Sequence, residues 1–159
     1  GLMRMLNSDI LRRIRYIFNF SDSKMVAIFD LAEYEVTRGL INEWLKKEDD
    51  SNFLECSDYY LAVFLNGFII ERRGKKEGPL PKAESKLTNN IIIRKLKIAL
   101  NLKSEDILVI LHTANLRISK HELSAFFRKL DHKHYRECKD QILRKFLKGV
   151  EERYHKKAK

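Results

Sequence analysis

The chain contains one pattern of residues twice, with an offset of 82 positions. The clearest identities are the pairs Asn7 and Asn89, Cys56 and Cys138, Asp58 and Asp140, and Gly67 and Gly149. The alignment continues without a gap from Asn7 to about Tyr154, and apolar positions agree along it as well as identical ones. Such a repeat indicates a duplication, so the fold must be built from two copies of one unit.

Each copy contains four stretches in which apolar residues recur at helical spacing, and strand-like alternation is absent. The last stretch of the first copy has apolar residues at i, i+3, i+4 and i+7, namely Leu61, Phe64, Leu65 and Phe68. A copy of roughly 65 residues is near the lower size limit for independent stability, so we expect the copies to pack together. The sequence predicts an all-α protein, a tandem duplication of a four-helix unit packed as a pseudo-two-fold pair.

The offset also predicts the division of the chain. Residues 7–72 form the first repeat and residues 89–154 the second. Residues 73–88 contain both prolines of the chain and four lysines. Because proline fixes an extended backbone and cannot donate a backbone hydrogen bond, we expect this segment to be an exposed basic linker.

Individual residues give three further expectations about the helices. Asn7 or Ser8 should cap the first helix, because short polar side chains accept hydrogen bonds from the first turn. Gly67 and Gly149 lie inside the fourth helix of each copy at a cost of about 1 kcal/mol relative to alanine, which predicts close approach of another helix. The third helix of the second copy should bury four apolar residues, Leu123, Phe126, Phe127 and Leu130.

The net charge of +10 is concentrated in the second copy. Residues 1–73 have 10 Lys and Arg against 12 Asp and Glu, whereas residues 89–159 have 18 against 8. The two copies therefore share their apolar positions but differ in charge. We expect a polyanion to bind the second copy.

Composition excludes several classes of protein. The two cysteines, Cys56 and Cys138, occupy equivalent positions, so they do not form the framework of a disulfide-rich domain. No apolar run approaches the roughly 20 residues that cross a bilayer. We expect a soluble cytoplasmic protein.

The sequence contains no constellation that favours catalysis. Carboxylates flank Cys56 and Cys138 closely and oppose a reactive thiolate, so we expect buried thiols. His132, His134 and Cys138 suggest a metal site only weakly, because a fourth ligand is missing. A phosphate-binding loop and a nucleophile elbow are absent. We therefore expect a non-enzymatic protein without a cofactor or metal.

The second and third helices of each copy resemble a helix-turn-helix corner. A helix ending near Ala32 is followed by Val36–Thr37, an apolar residue before a helix cap, and Ala114 and Ile118–Ser119 repeat the arrangement. The turn at Glu33 lacks the usual glycine. The third helix of the second copy should expose five side chains suited to phosphates and base edges, namely Lys120, His121, Ser124, Arg128 and Lys129.

The linker supplies a second group of cations. Arg72, Arg73, Lys75 and Lys76 form a basic run that is suited to lie along phosphates or, alternatively, to keep a hinge solvated. Together with the third helix of the second copy, this run favours a nucleic-acid-binding or regulatory module. The alternative function is a protein-binding adaptor that uses the groove between the copies or the aromatic residues Tyr59 and Tyr60.

Four motifs resemble the YehS-like family of bacteria: Trp44–Asp49, Glu55–Asp58, Phe64–Gly67 and Arg73–Gly78. The resemblance covers essentially the whole chain. That family consists of short, internally duplicated proteins classed as a domain of unknown function. The resemblance implies a bacterial cytosolic protein without an assigned activity, and it transfers no catalytic or binding residue.

Overall fold

The computed structural model describes residues 5–158, with side chains as far as His155, and this part of the chain contains eight helices and no strand. The all-α prediction is confirmed. The helices are α1 (Asn7–Ile17), α2 (Asp22–Leu31), α3 (Arg38–Leu45), α4 (Asp58–Arg73), α5 (Asn89–Ala99), α6 (Ser104–Thr113), α7 (Lys120–Ala125) and α8 (Asp140–Ala158). The chain divides into two compact units between Leu87 and Thr88, which we call unit 1 and unit 2. None of the helices within residues 5–158 is long and apolar enough to cross a membrane.

Unit 1 is held together by an aromatic core between α2, α3 and α4. The ring of Phe29 lies 5.7 Å from that of Trp44 and 5.4 Å from that of Phe64, measured between centroids. All three side chains are buried. Aromatic pairs at this separation stabilise a core beyond the area that they bury. Helices α2, α3 and α4 of unit 1 therefore pack around one aromatic cluster.

Unit 2 has the same arrangement with a more aliphatic core. Helix α6 packs along α8 and against α7, as α2 does along α4 and against α3. Ile107, Leu111, Leu143 and Phe146 are fully buried between these helices. Phe126 stands at the position of the tryptophan of unit 1 and is buried as well.

The two helical glycines lie where helices approach most closely, as predicted. A Cβ atom added to Gly67 would overlap the carbonyl oxygen of Ile28 on α2. One added to Gly149 would overlap the carbonyl oxygen of Ile110 on α6. Because no side chain fits at either position, glycine allows α4 and α8 to contact the backbone of the neighbouring helix.

Asn7, the first residue of α1, joins the start of α1 to the start of α4. The prediction that it caps the helix is wrong. Leu6 is the N-cap, and the Asn7 side chain instead donates to the carbonyl oxygen of Cys56 at 2.9 Å and to Oδ1 of Asp58 at 2.7 Å. In unit 2 the Asn89 amide makes the equivalent two bonds at 3.0 and 2.7 Å. The residues that repeat most clearly in the sequence therefore form a hydrogen-bonded clamp between the first and last helices of each unit.

The segment between the repeats is continuously exposed only in its first half. Residues 74–79 are exposed, but Leu87 is buried and its N–H donates to Oδ2 of Asp58 at 2.8 Å. Leu80 and Ala83 are half-buried and line a cleft on unit 1. The second half of the linker therefore packs on unit 1, because Leu87 is buried and Leu80 and Ala83 line the cleft.

Candidate nucleic-acid interface

Helix α7 begins with the cap that the sequence predicts. The Ser119 hydroxyl accepts from the N–H of Glu122 at 3.0 Å, and the Glu122 carboxylate accepts from the N–H of Ser119 at 2.9 Å. This reciprocal pair is a capping box. The hydrogen bond from the Ser119 backbone lowers the pKa of the Glu122 carboxyl. The cap fixes the direction of a helix of only six residues.

The turn before the third helix of each unit has the geometry that a glycine would give it. Glu33 has φ 58° and Asn115 has φ 64°, both in the left-handed region. Each residue follows the C-cap of the preceding helix, Ala32 or Ala114. The absence of glycine therefore does not prevent a helix-turn-helix corner in either unit, although the non-glycine residue at this position costs some strain.

Only part of the predicted set lies on α7. Lys120 and His121 are exposed on it, and Nζ of Lys120 lies 2.9 Å from a carboxylate oxygen of Glu105. The Ser124 hydroxyl donates to the carbonyl oxygens of Lys120 and His121, both at 3.1 Å. Ser124 therefore uses its hydroxyl within the helix, whereas His121 remains directed to solvent.

The helix ends earlier than the sequence predicts. The placement of Arg128 and Lys129 on this helix and the burial of Leu130 are therefore wrong. The chain turns after Ala125, whose carbonyl oxygen accepts from the N–H of Arg136 at 3.1 Å. Arg128 and Lys129 lie beyond α7, with Arg128 half-buried and Lys129 exposed. Leu130, predicted to be buried, is 77% exposed. The carbonyl oxygen of Ala125 thus bonds outside α7, through a long-range contact that the apolar spacing does not indicate.

The loop after α7 brings three imidazole rings together. The ring centroids of His121 and His134 are 6.5 Å apart, and those of His132 and His134 are 5.6 Å apart. All three residues are exposed, and so are Lys129 and Lys133 beside them in the chain. We call these five residues the histidine face. Sequence reasoning considered His132 and His134 only as metal ligands and missed that they lie beside His121.

The described residues do not assemble the weak metal pattern of His132, His134 and Cys138. Within the described residues there is no group of three His, Cys, Asp or Glu side chains placed to hold a metal ion. Cys138, the third ligand in the weak sequence pattern, is buried instead. Burial raises the pKa of the Cys138 thiol to about 12, and it does the same for Cys56. Both thiols are therefore protonated core groups, as expected.

The loop after α7 has the same internal pattern of backbone hydrogen bonds as the loop after α3. In unit 1 the N–H of Asp50 donates to the carbonyl oxygen of Lys47 at 3.0 Å, and in unit 2 the N–H of His132 donates to that of Lys129 at 2.9 Å. The Asp50 carboxylate also accepts from the N–H of Asn52 at 2.8 Å. The two loops therefore form the same turn.

The side chains on these matched turns differ in charge. In unit 2 the Nδ1 atom of His132 accepts from the N–H of His134 at 3.0 Å, in the place of the aspartate oxygen of unit 1. Residues 48–52 read Glu-Asp-Asp-Ser-Asn, whereas residues 130–134 read Leu-Asp-His-Lys-His. One backbone shape consequently presents three carboxylates in unit 1 and, in unit 2, two imidazoles, a lysine and the single carboxylate of Asp131.

The other predicted cations lie in unit 1, around the end of α4. Arg72 and Arg73 occupy its last turn, and the Arg72 guanidinium lies 5.2 Å from the centroid of the Phe18 ring. Lys75 and Lys76 are exposed beyond the helix. The described contacts thus give Arg72 a packing role as well as a charge.

The tyrosines considered for protein binding have different environments. The Tyr60 ring lies 4.9 Å from that of Trp44, and its hydroxyl accepts from the Tyr34 hydroxyl at 3.2 Å. That hydrogen bond is the main cause that raises the pKa of Tyr34 to about 12. Tyr59 is 41% exposed and borders a cleft of about 400 Å³ on unit 1. Tyr60 therefore belongs to the edge of the core, and Tyr59 is the more exposed of the two tyrosines.

Comparison with known proteins confirms the resemblance to the YehS-like family. The family model described as "Protein of unknown function (DUF1456)" matches residues 7–74 and again residues 89–155. The chain is 46% identical over 154 residues to the uncharacterized protein YehS of Escherichia coli (strain K12), which covers 96% of this chain and 99% of that protein. No solved structure matches the chain. The chain belongs to the DUF1456 family and contains its repeated segment twice.

Proposed function

We propose that the protein is a non-enzymatic nucleic-acid-binding module whose contact surface is the histidine face of unit 2. The observation that carries this proposal is the pair of matched turns after α3 and α7. They have the same backbone hydrogen bonds, but residues 48–52 present three carboxylates, whereas residues 130–134 present two imidazoles and a lysine beside one carboxylate, Asp131. A copy of a duplicated scaffold that has an excess of positive charge is suited to a polyanion.

The exposed lysines of this face supply the electrostatic part of binding. Lys129 and Lys133 lie on either side of His132 and are both exposed. Residues 89–159 add an excess of cations, with 18 Lys and Arg against 8 Asp and Glu. Each phosphate that a lysine neutralises releases counterions, so binding through this face would weaken steeply with salt.

A matched pair of charge reversals tests the proposal. Lys129→Glu changes an exposed residue of the histidine face, and Lys47→Glu changes its equivalent in unit 1, also exposed. Removal of one phosphate contact should weaken binding to mixed-sequence oligonucleotides about tenfold and reduce the salt slope by about one. We expect this change from Lys129→Glu and little change from Lys47→Glu, measured by fluorescence anisotropy at several salt concentrations.

The result that would overturn the proposal is equally specific. Equal effects of the two substitutions would show that binding follows net charge rather than the histidine face. Absence of binding at low salt would reject the nucleic-acid function and favour the adaptor alternative.

A further inference from the structure

We infer that the nucleic acid bound by the histidine face is single-stranded, with unpaired bases stacked on the imidazole rings. This inference rests on the proposed function and names its substrate class. It follows from two features of unit 2, the short α7 and the group of exposed rings beside it.

Helix α7 is poorly suited to read a duplex. Its six residues span about 9 Å at 1.5 Å per residue, less than two turns. Lys120 is paired with Glu105, Ser124 is bonded to its own helix, and Glu122 is bonded in the cap. His121 is the remaining polar side chain of α7. One side chain offers little base-edge readout to a helix in the major groove.

The rings have the features of a stacking platform. His132 and His134 are inclined by 42°, and His121 and His134 by 64°, so they are not stacked face to face. All three are exposed. Unpaired bases stack on histidine and on larger aromatic side chains, and each stacked base strengthens binding by about tenfold. The rings can therefore bind bases that a duplex would keep inside its own stack.

The surroundings of the rings fit the alternation of bases and phosphates in a single strand. Lysines and rings are interspersed along the loop, in the order Lys129, Leu130, Asp131, His132, Lys133 and His134, so that two lysines outnumber one carboxylate. Leu130, also in this loop, is 77% exposed. Its apolar side chain is available to an unstacked base, which gives a role to a large residue that the core does not use.

The test measures how tightly the full chain binds one mixed-sequence strand and how tightly it binds the duplex of that strand. Both are measured as DNA and as RNA, at constant pH. We expect the single strand to bind about tenfold more tightly, since one stacked base is worth roughly that factor. His134→Ala should weaken single-strand binding about tenfold without changing the salt slope. His134→Phe should restore it, because phenylalanine keeps a ring and has no charge. Lys133→Glu should instead reduce the salt slope.

The possible outcomes separate the two proposals. If the duplex binds as well as the single strand while Lys129→Glu still weakens binding, the single-strand inference is overturned and the proposed function stands. If His134→Phe, folded as shown by circular dichroism, fails to restore what His134→Ala loses, the stacking role is rejected. If neither form binds, both proposals fail.

Discussion

The side-chain amide of Asn7 lies 2.7 Å from the carboxylate of Asp58, and the equivalent amide of Asn89 lies at the same distance from Asp140. The first pair joins residues 51 positions apart and connects the start of α1 to the start of α4. Asp58 also accepts from the N–H of Leu87, the last residue of unit 1. One carboxylate therefore fixes three segments of unit 1.

Loss of this amide should destabilise unit 1. Asn7→Ala removes two hydrogen bonds and leaves the carbonyl oxygen of Cys56 and one oxygen of Asp58 without that donor. We expect the free energy of unfolding to fall by about 1–3 kcal/mol, measured by urea denaturation. Asn42→Ala is the control, because Asn42 is exposed on α3. Similar losses in the two variants would contradict a structural role for the clamp.

The close contact between α2 and α4 predicts that alanine is not tolerated at Gly67. Overpacking against the carbonyl oxygen of Ile28 should cost about 1–3 kcal/mol, more than the better helix propensity of alanine returns. Gly39→Ala, in the open environment of α3, should be neutral or slightly stabilising. Thermal unfolding of both variants measures the difference, and a stable Gly67→Ala would show that the helices can separate at little cost.

The buried thiols should be unreactive in the folded protein. Burial raises the pKa of Cys56 and Cys138 to about 12 from an ordinary 9.0. We expect iodoacetamide at pH 8 to modify neither thiol natively and both in denaturant, as read by mass spectrometry. Rapid labelling of the native chain would refute this.

The same shift predicts how stability depends on alkaline pH. Since the folded pKa is higher than the unfolded one, the native state retains thiol protons that the unfolded chain releases. This contribution to stability is fully present below about pH 9 and is lost as pH rises toward 12. Replacement of Cys56 and Cys138 by alanine should remove that part of the decline in urea midpoints above pH 9. An unchanged decline would assign it to other groups.

The cap of α7 should be essential to so short a helix. Ser119→Ala removes the acceptor for the N–H of Glu122 and should lower the free energy of unfolding by about 1 kcal/mol. Because the Ser119 backbone lowers the pKa of Glu122, the carboxylate stabilises the fold above its ordinary 4.5, and this contribution is lost as pH falls through the folded value. Glu122→Gln should therefore flatten stability against pH in that range, and an unaltered profile would contradict the capping role.

The sequence predicts the local structure of the chain well, because its signals are local. Repeated identities show the duplication, and Ser119 marks the start of α7 where a cap is needed. Gly67 predicts a close helix contact because a helical glycine has a cost that something must offset. Each of these signals depends on neighbours within one turn of helix or on comparison of the two copies.

The errors arise where a distant residue determines the outcome. Asn7 is a residue type that often caps helices, but the partners of its side chain are 49 and 51 positions away. After α7 the chain folds back to a bond between Ala125 and Arg136 that apolar spacing does not indicate. The grouping of His121 with His134 likewise requires the loop to fold back, so the rings appeared in the sequence only as scattered histidines.

The turns at Asp50 and His132 show that the backbone accepts either a carboxylate oxygen or an imidazole nitrogen as the partner of one N–H. Either chemistry therefore fits this turn, and the charge of the surface differs between the copies while the backbone hydrogen bond is kept. A graft of residues 130–134 onto positions 48–52 should consequently carry His132, Lys133 and His134 into unit 1 at little thermodynamic penalty, but not the third ring, because Gly39 stands at the position of His121.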